Sequence, residues 1–151
     1  MKSEKGITLI SVTIYVIVML ITVAVVSVVT SYFYNNIQQY TVKTDSINEY
    51  TKFNSYFTEE INTKGNKVLE CALINDNTNN DEPEESYVVF STNNQYTYIP
   101  SNKAIYQNYV KIASGVEDCK FEHLIENGKD AVKVTLKFET LNKEITYVIK
   151  N

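Results

Sequence analysis

The 151 residues carry 18 acidic side chains against 14 basic ones, every one of the latter lysine, for a formal net charge of −4. That balance leaves no basic footprint for nucleic acid, and one histidine, two cysteines and four scattered glycines supply neither a zinc set nor a phosphate-cradling loop. No catalytic constellation, metal site or cofactor is expected, and the chain reads as something other than an enzyme. Its first element is a run from Ile7 to Tyr34 without a charged side chain, preceded by Lys2 and Lys5, with no charge following until Lys43. At about 1.5 Å per residue a helix over this run exceeds the roughly 30 Å hydrocarbon core of a bilayer. The lysines before it put the N-terminus in the cytoplasm and the rest of the chain outside, and Tyr32, Phe33 and Tyr34 fall where an interfacial aromatic belt belongs.

The helical pattern continues beyond the aromatics. Phe33, Ile37, Tyr40, Ile47, Tyr50, Phe53, Phe57 and Ile61 recur at three- and four-residue steps, apart from Thr44 filling one slot, while Lys43, Asp45, Glu49, Lys52 and Glu59 fall off that line. One helix from about Ile7 to Asn62 is predicted, on the order of 80 Å long, ended by glycine cap chemistry at Lys64-Gly65-Asn66. Strands follow: Lys67–Ile74, then Tyr87–Phe90 and Gln95–Ile99 around an Asn93-Asn94 turn, with Pro100 interrupting the pairing. Asn75 to Ser86 is acidic and reads as a loop. Its Asp76, Asp81, Glu82, Glu84 and Glu85 lack the central glycine of a calcium-binding loop. The segment from Ala104 to Ile112 is open between strand and helical turn. Cys119–Ile125, the Asn127-Gly128 turn and the alternation of Val132, Val134, Leu136 and Phe138 predict a hairpin. A last strand carries Ile145, Tyr147 and Ile149 on one face after a turn at Leu141-Asn142. The fold class is therefore α+β: a long N-terminal helix, one half suited to a membrane and one half amphipathic, packed on an antiparallel sheet, with the stripe from Phe33 to Ile61 as the sheet's cover.

Lys5-Gly6 followed by Ile7-Thr8-Leu9-Ile10 resembles the processing site of type IV pilins and related pseudopilins, in which a short basic leader is cut after glycine and the new N-terminus is methylated. The resemblance implies a leader over residues 1–6, a membrane and filament-core half of the helix over 7–34, and an extracytoplasmic pilin-like domain over 35–151. It makes Gly6 and Ile7 the cleavage and methylation site. It implies as partners other pilin or pseudopilin subunits, the prepilin peptidase, the cytoplasmic membrane and an assembly platform protein, with no nucleic acid. The implied function is that of a minor subunit that primes or caps a cell-surface filament, of a pilus first, a competence pseudopilus second and a type II secretion pseudopilus third. The chain departs from the family pattern at Ser11, where most members carry a glutamate that pairs with the amino terminus of a neighbouring subunit. That departure fits a rare subunit at the filament tip, or a membrane-anchored extracellular binding domain of another kind.

Cys71 and Cys119 lie in the extracytoplasmic part, where disulfides persist. A bond between them, worth on the order of 4 kcal/mol in the chain-entropy model, and two unpaired thiols held in strands are both open. His123 reads as a polar strand residue.

Overall fold

The computed structural model describes residues 4–74 and 85–150. The fold is α+β, with helix α1 (Glu4–Ile61) followed by eight strands that form two antiparallel sheets among the described residues. Two compact units divide the chain, Met1–Thr41 and Val42–Asn151, so α1 contributes to both.

The first unit is helical throughout its described part. No proline or glycine interrupts residues 7–41, and the abundant valines and isoleucines, stiff at χ1, do not oppose a helix strongly enough to outweigh its uninterrupted hydrogen bonding.

In the second unit α1 continues from Val42, and its last turns close a core built on both sheets. The larger sheet is a meander of β1 (Val68–Ile74), β2 (Glu85–Phe90), β3 (Gln95–Ile99), β4 (Ala104–Gln107) and β5 (Val110–Ser114), paired in sequence order. The smaller consists of β6 (Val116–Glu126), β7 (Lys129–Phe138) and β8 (Asn142–Val148). Registers follow the alternation of side chains. Val88 faces Tyr96 across β2 and β3, and Phe121 faces Val134 across β6 and β7, all four buried. Asn127 and Gly128 take φ of 53° and 76°, the left-handed pair a two-residue hairpin turn needs. Inside, Phe53 and Phe57 from α1 meet Phe90 and Tyr96 of the larger sheet and Phe121 and Tyr147 of the smaller. Apart from the half-buried Tyr147, each of these aromatics is buried and stabilises the fold by about 1.5–3 kcal/mol.

Four expectations are corrected in detail, and one left open is decided. The sheet is split in two, because a residue with φ of 68° at Gly115 turns the chain between β5 and β6. The covering stripe is shorter than its periodicity: Phe53, Phe57 and Ile61 are buried and Tyr50 partly so, whereas Phe33, Ile37 and Tyr40 of the first unit are exposed. The helix ends at Ile61 rather than at a glycine cap, and Gly65, with φ of 77°, serves the separate turn closed by Asn66 N–H donating to Thr63 O at 3.2 Å. Glu85 and Ser86 belong to β2, not to a loop. The ambiguous stretch from Ala104 to Ile112 is the hairpin of β4 and β5, turned by Asn108 and Tyr109.

Candidate functional site

Between Leu9 and Tyr40 the large apolar side chains of α1 are open to solvent, with Leu9 72%, Val28 70% and Phe33 59% exposed. A helix of a soluble domain hides such a surface, and an uncovered one marks contact with lipid or with other helices. Three of the hydroxyls that interrupt the run bond back to the helix. Thr13 Oγ1 donates to Leu9 O at 2.9 Å, Thr22 Oγ1 to Val18 O at 2.8 Å and Ser27 Oγ to Val23 O at 2.8 Å. The backbone and these three hydroxyls are thus satisfied internally, and what the helix presents outward is mainly hydrocarbon. By length and composition α1 is apolar enough to cross a membrane. Gly6 and Ile7 lie in its opening turns, and Ser11, half-buried, follows four residues after Ile7. Tyr32 and Phe33 meet edge to face at 6.2 Å.

The second unit carries two anchored carboxylates that fasten α1 to the sheets. Glu49 accepts from the Ser114 N–H at 2.7 Å and the Ser114 hydroxyl at 3.0 Å, and its other oxygen pairs with Lys52 Nζ. Burial pushes its carboxyl up, but the Lys52 and Ser114 bonds outweigh burial and hold it below the ordinary value. Glu60, 4% exposed, has no cation within salt-bridge distance among the described residues. It accepts instead from Asn66 Nδ2 at 2.7 Å, Asn94 Nδ2 at 2.6 Å and the Thr92 hydroxyl. Asn66 in turn accepts from the Ser91 hydroxyl at 3.0 Å and the Lys67 N–H at 2.9 Å. The end of α1 is thereby tied to the β2–β3 turn.

Cys71 and Cys119 are free thiols, the second of the two arrangements open from sequence. Cys71 Sγ donates to Phe121 O at 3.2 Å, and Cys119 is fully buried. Burial pushes the Cys71 thiol from 9.0 up to about 11, and burial likewise pushes the Cys119 thiol and the Tyr96, Tyr98 and Tyr147 phenols upward. Two outcomes follow. At pH 8 Cys71 of the folded chain should alkylate about a hundredfold more slowly than in denaturant, read by mass spectrometry of iodoacetamide adducts, because only the thiolate reacts. Folded pKa values above unfolded ones also mean that this stabilisation is complete below about pH 9 and is lost as pH rises through about 11, so denaturation midpoints should fall over that window.

His123 Nε2 lies 3.1 Å from Asp130 Oδ1 on exposed strand surface. Of the acidic cluster, Asp76, Asp81, Glu82 and Glu84 lie outside the described residues, and Glu85 opens β2. Among the described residues no three His, Cys, Asp or Glu side chains are grouped to hold a metal.

Periodicity gave no sign of the two anchored acids. Glu49 lies off the apolar stripe and reads as a solvent face, yet its partner Ser114 is 65 residues away. Glu60 carries no local signal beyond the Asn- and Thr-rich turns that follow it. Comparison with models of known families, with curated proteins and with solved structures finds no match to this chain.

Proposed function

We propose that this chain is a minor pilin or pseudopilin, a structural subunit that primes or caps a type IV pilus-like filament through its apolar helix. The observation that carries the reading is the uncovered hydrocarbon surface of α1 from Leu9 to Tyr40, joined without a helix break to the turns that close the core of an α+β domain. The Lys5-Gly6-Ile7 junction supports it from the sequence. In this mechanism the helix is stored in the bilayer with its N-terminus in the cytoplasm, and after cleavage at Gly6 it moves from lipid into a bundle of like helices. The transfer costs little, because both surroundings are apolar and the helix satisfies its own polar groups. Ser11 carries no charge to be neutralised in the bundle, which suits a subunit with none above it. A pilus is the first assignment, ahead of a competence pseudopilus and a type II secretion pseudopilus. Co-expression with a prepilin peptidase followed by N-terminal sequencing is expected to yield a methylated Ile7. A chain that still begins at Met1 in the presence of active peptidase would exclude the reading.

A further inference from the structure

The turn between β4 and β5 holds a bulky residue where glycine is usual. Asn108 and Tyr109 take φ of 46° and 72°, and in a two-residue hairpin turn of this kind the second position favours glycine because a side chain there is strained. Tyr109 gains nothing within its own chain to offset that strain, being 97% exposed, with Val110 after it 66% exposed. Nor is the tip loosely held. Asn108 donates through its amide to Asn94 Oδ1 at 2.6 Å, accepts from the Gln95 N–H at 2.8 Å, and bonds through its own N–H to Gln95 O at 3.0 Å. Backbone strain maintained in a clamped turn, displaying an aromatic to solvent, is the mark of a preorganised contact.

The same unit carries a groove of mixed polar and apolar lining. It encloses about 740 Å³ between Asp45, Glu49 and Lys52 of α1, Ser114 at the end of β5 with Gly115 after it, and Phe138 at the end of β7 with Glu139 after it. Glu49 is paired with Lys52, while Asp45 and Glu139 have no cation within salt-bridge distance among the described residues. At the tip the balance is reversed. From Gln95 to Ser114 there is no acidic residue, and Lys111 stands beside Val110 without a carboxylate partner among the described residues. Tip and groove sit at opposite ends of β5, about 13 Å apart along the strand. They also bracket the second unit's part of α1, since Asn94, which binds the tip, binds Glu60, roughly 22 Å along the helix from Asp45.

We propose that Tyr109 and Val110 of one copy insert into the Asp45–Glu49–Glu139 groove of a second copy, with Lys111 meeting the unpaired carboxylates. Such a contact joins two different patches, head to tail, rather than closing a symmetric pair. Its energy comes from an aromatic anchor that is already ordered, and its register from the charges. It uses only the second unit and stands independently of the role proposed for the apolar helix.

The test uses the full chain in liposomes, as a mixture of ordinary and ¹⁵N-labelled copies, with photo-reactive benzoylphenylalanine replacing Tyr109. Illumination should cross-link position 109 to residues 42–52, 114–115 or 138–139 of a differently labelled copy. Glu139→Lys should lower the yield at least about fivefold, and adding Lys111→Glu should restore it. Tyr109→Gly suits the left-handed backbone, so it should raise the melting temperature yet abolish the inter-copy cross-link from a photo-reactive group moved to position 110. Cross-links to lipid, to another surface of the second copy or within one copy only would overturn the proposal. So would an unchanged yield with Glu139→Lys, or persistence of the cross-link in Tyr109→Gly.

Discussion

Phe57→Ala should cost the second unit about 3–5 kcal/mol, a large share of the roughly 5–15 kcal/mol that stabilises a typical domain. Phe57 is fully buried, and its ring lies 5.1 Å from that of Phe53, 5.7 Å from Phe90, 5.0 Å from Tyr96, 5.9 Å from Phe121 and 4.9 Å from Tyr147. Those partners come from α1 and both sheets. Truncation therefore leaves a void that no single element can collapse to fill, and the loss falls toward the upper end of the range for Phe→Ala. Chemical denaturation followed by near-ultraviolet circular dichroism should show an early transition or none. Phe33→Ala is the control: its side chain is 59% exposed, so the same truncation should leave the unit's midpoint unchanged. Equal losses at the two positions would mean that the aromatic stripe is covered along its whole length.

Glu60→Ala should cost about 2–4 kcal/mol, more than its small loss of apolar contact implies. The carboxylate is the common acceptor for Asn66, Thr92 and Asn94, and its removal strands the buried Asn66 amide and the half-buried Asn94 amide, while the exposed Thr92 hydroxyl can turn to solvent. Glu60→Gln keeps one oxygen but turns an amide NH2 toward the donating amides of Asn66 or Asn94, so about 1–2 kcal/mol is expected. Because Asn94 also receives the Asn108 amide, Glu60→Ala should in addition raise hydrogen exchange in the β2–β3 and β4–β5 turns. Stability within about 0.5 kcal/mol of the parent would mean that these bonds are replaced by solvent.

Helix and strand positions were legible because each is written in local periodicity. The apolar run predicted α1 to within a few residues, and Asn127-Gly128 and the alternation in Val132–Phe138 gave the β6–β7 hairpin in its observed register. What escaped was whatever depends on residues far apart in the chain. Nothing local says that Phe33, Ile37 and Tyr40, in phase with Phe53 and Phe57, stay exposed while the latter are covered. Nor does Gly115 announce that it divides one meander into two sheets. The β4–β5 turn was hidden because Asn108-Tyr109 puts an aromatic where the usual cue is glycine, and the anchoring of Glu49 by Ser114 has no counterpart in spacing. At the candidate site the reverse held: an uncharged run and a Lys-Gly-Ile junction are visible in sequence order, and the structure adds that the run's apolar surface lies open and that three of its hydroxyls bond back to the helix.

The most direct measurement of the central claim is the location and N-terminus of the native chain in cells that make type IV-like filaments. Sheared surface filaments and washed membranes would be separated and each analysed by intact-mass spectrometry. The account predicts a membrane pool and a smaller filament pool, the latter beginning at methylated Ile7, with Ser11→Glu leaving the filament share no larger. A chain confined to membranes and still beginning at Met1 would contradict it, and would leave α1 as a fixed anchor rather than a helix that assembles.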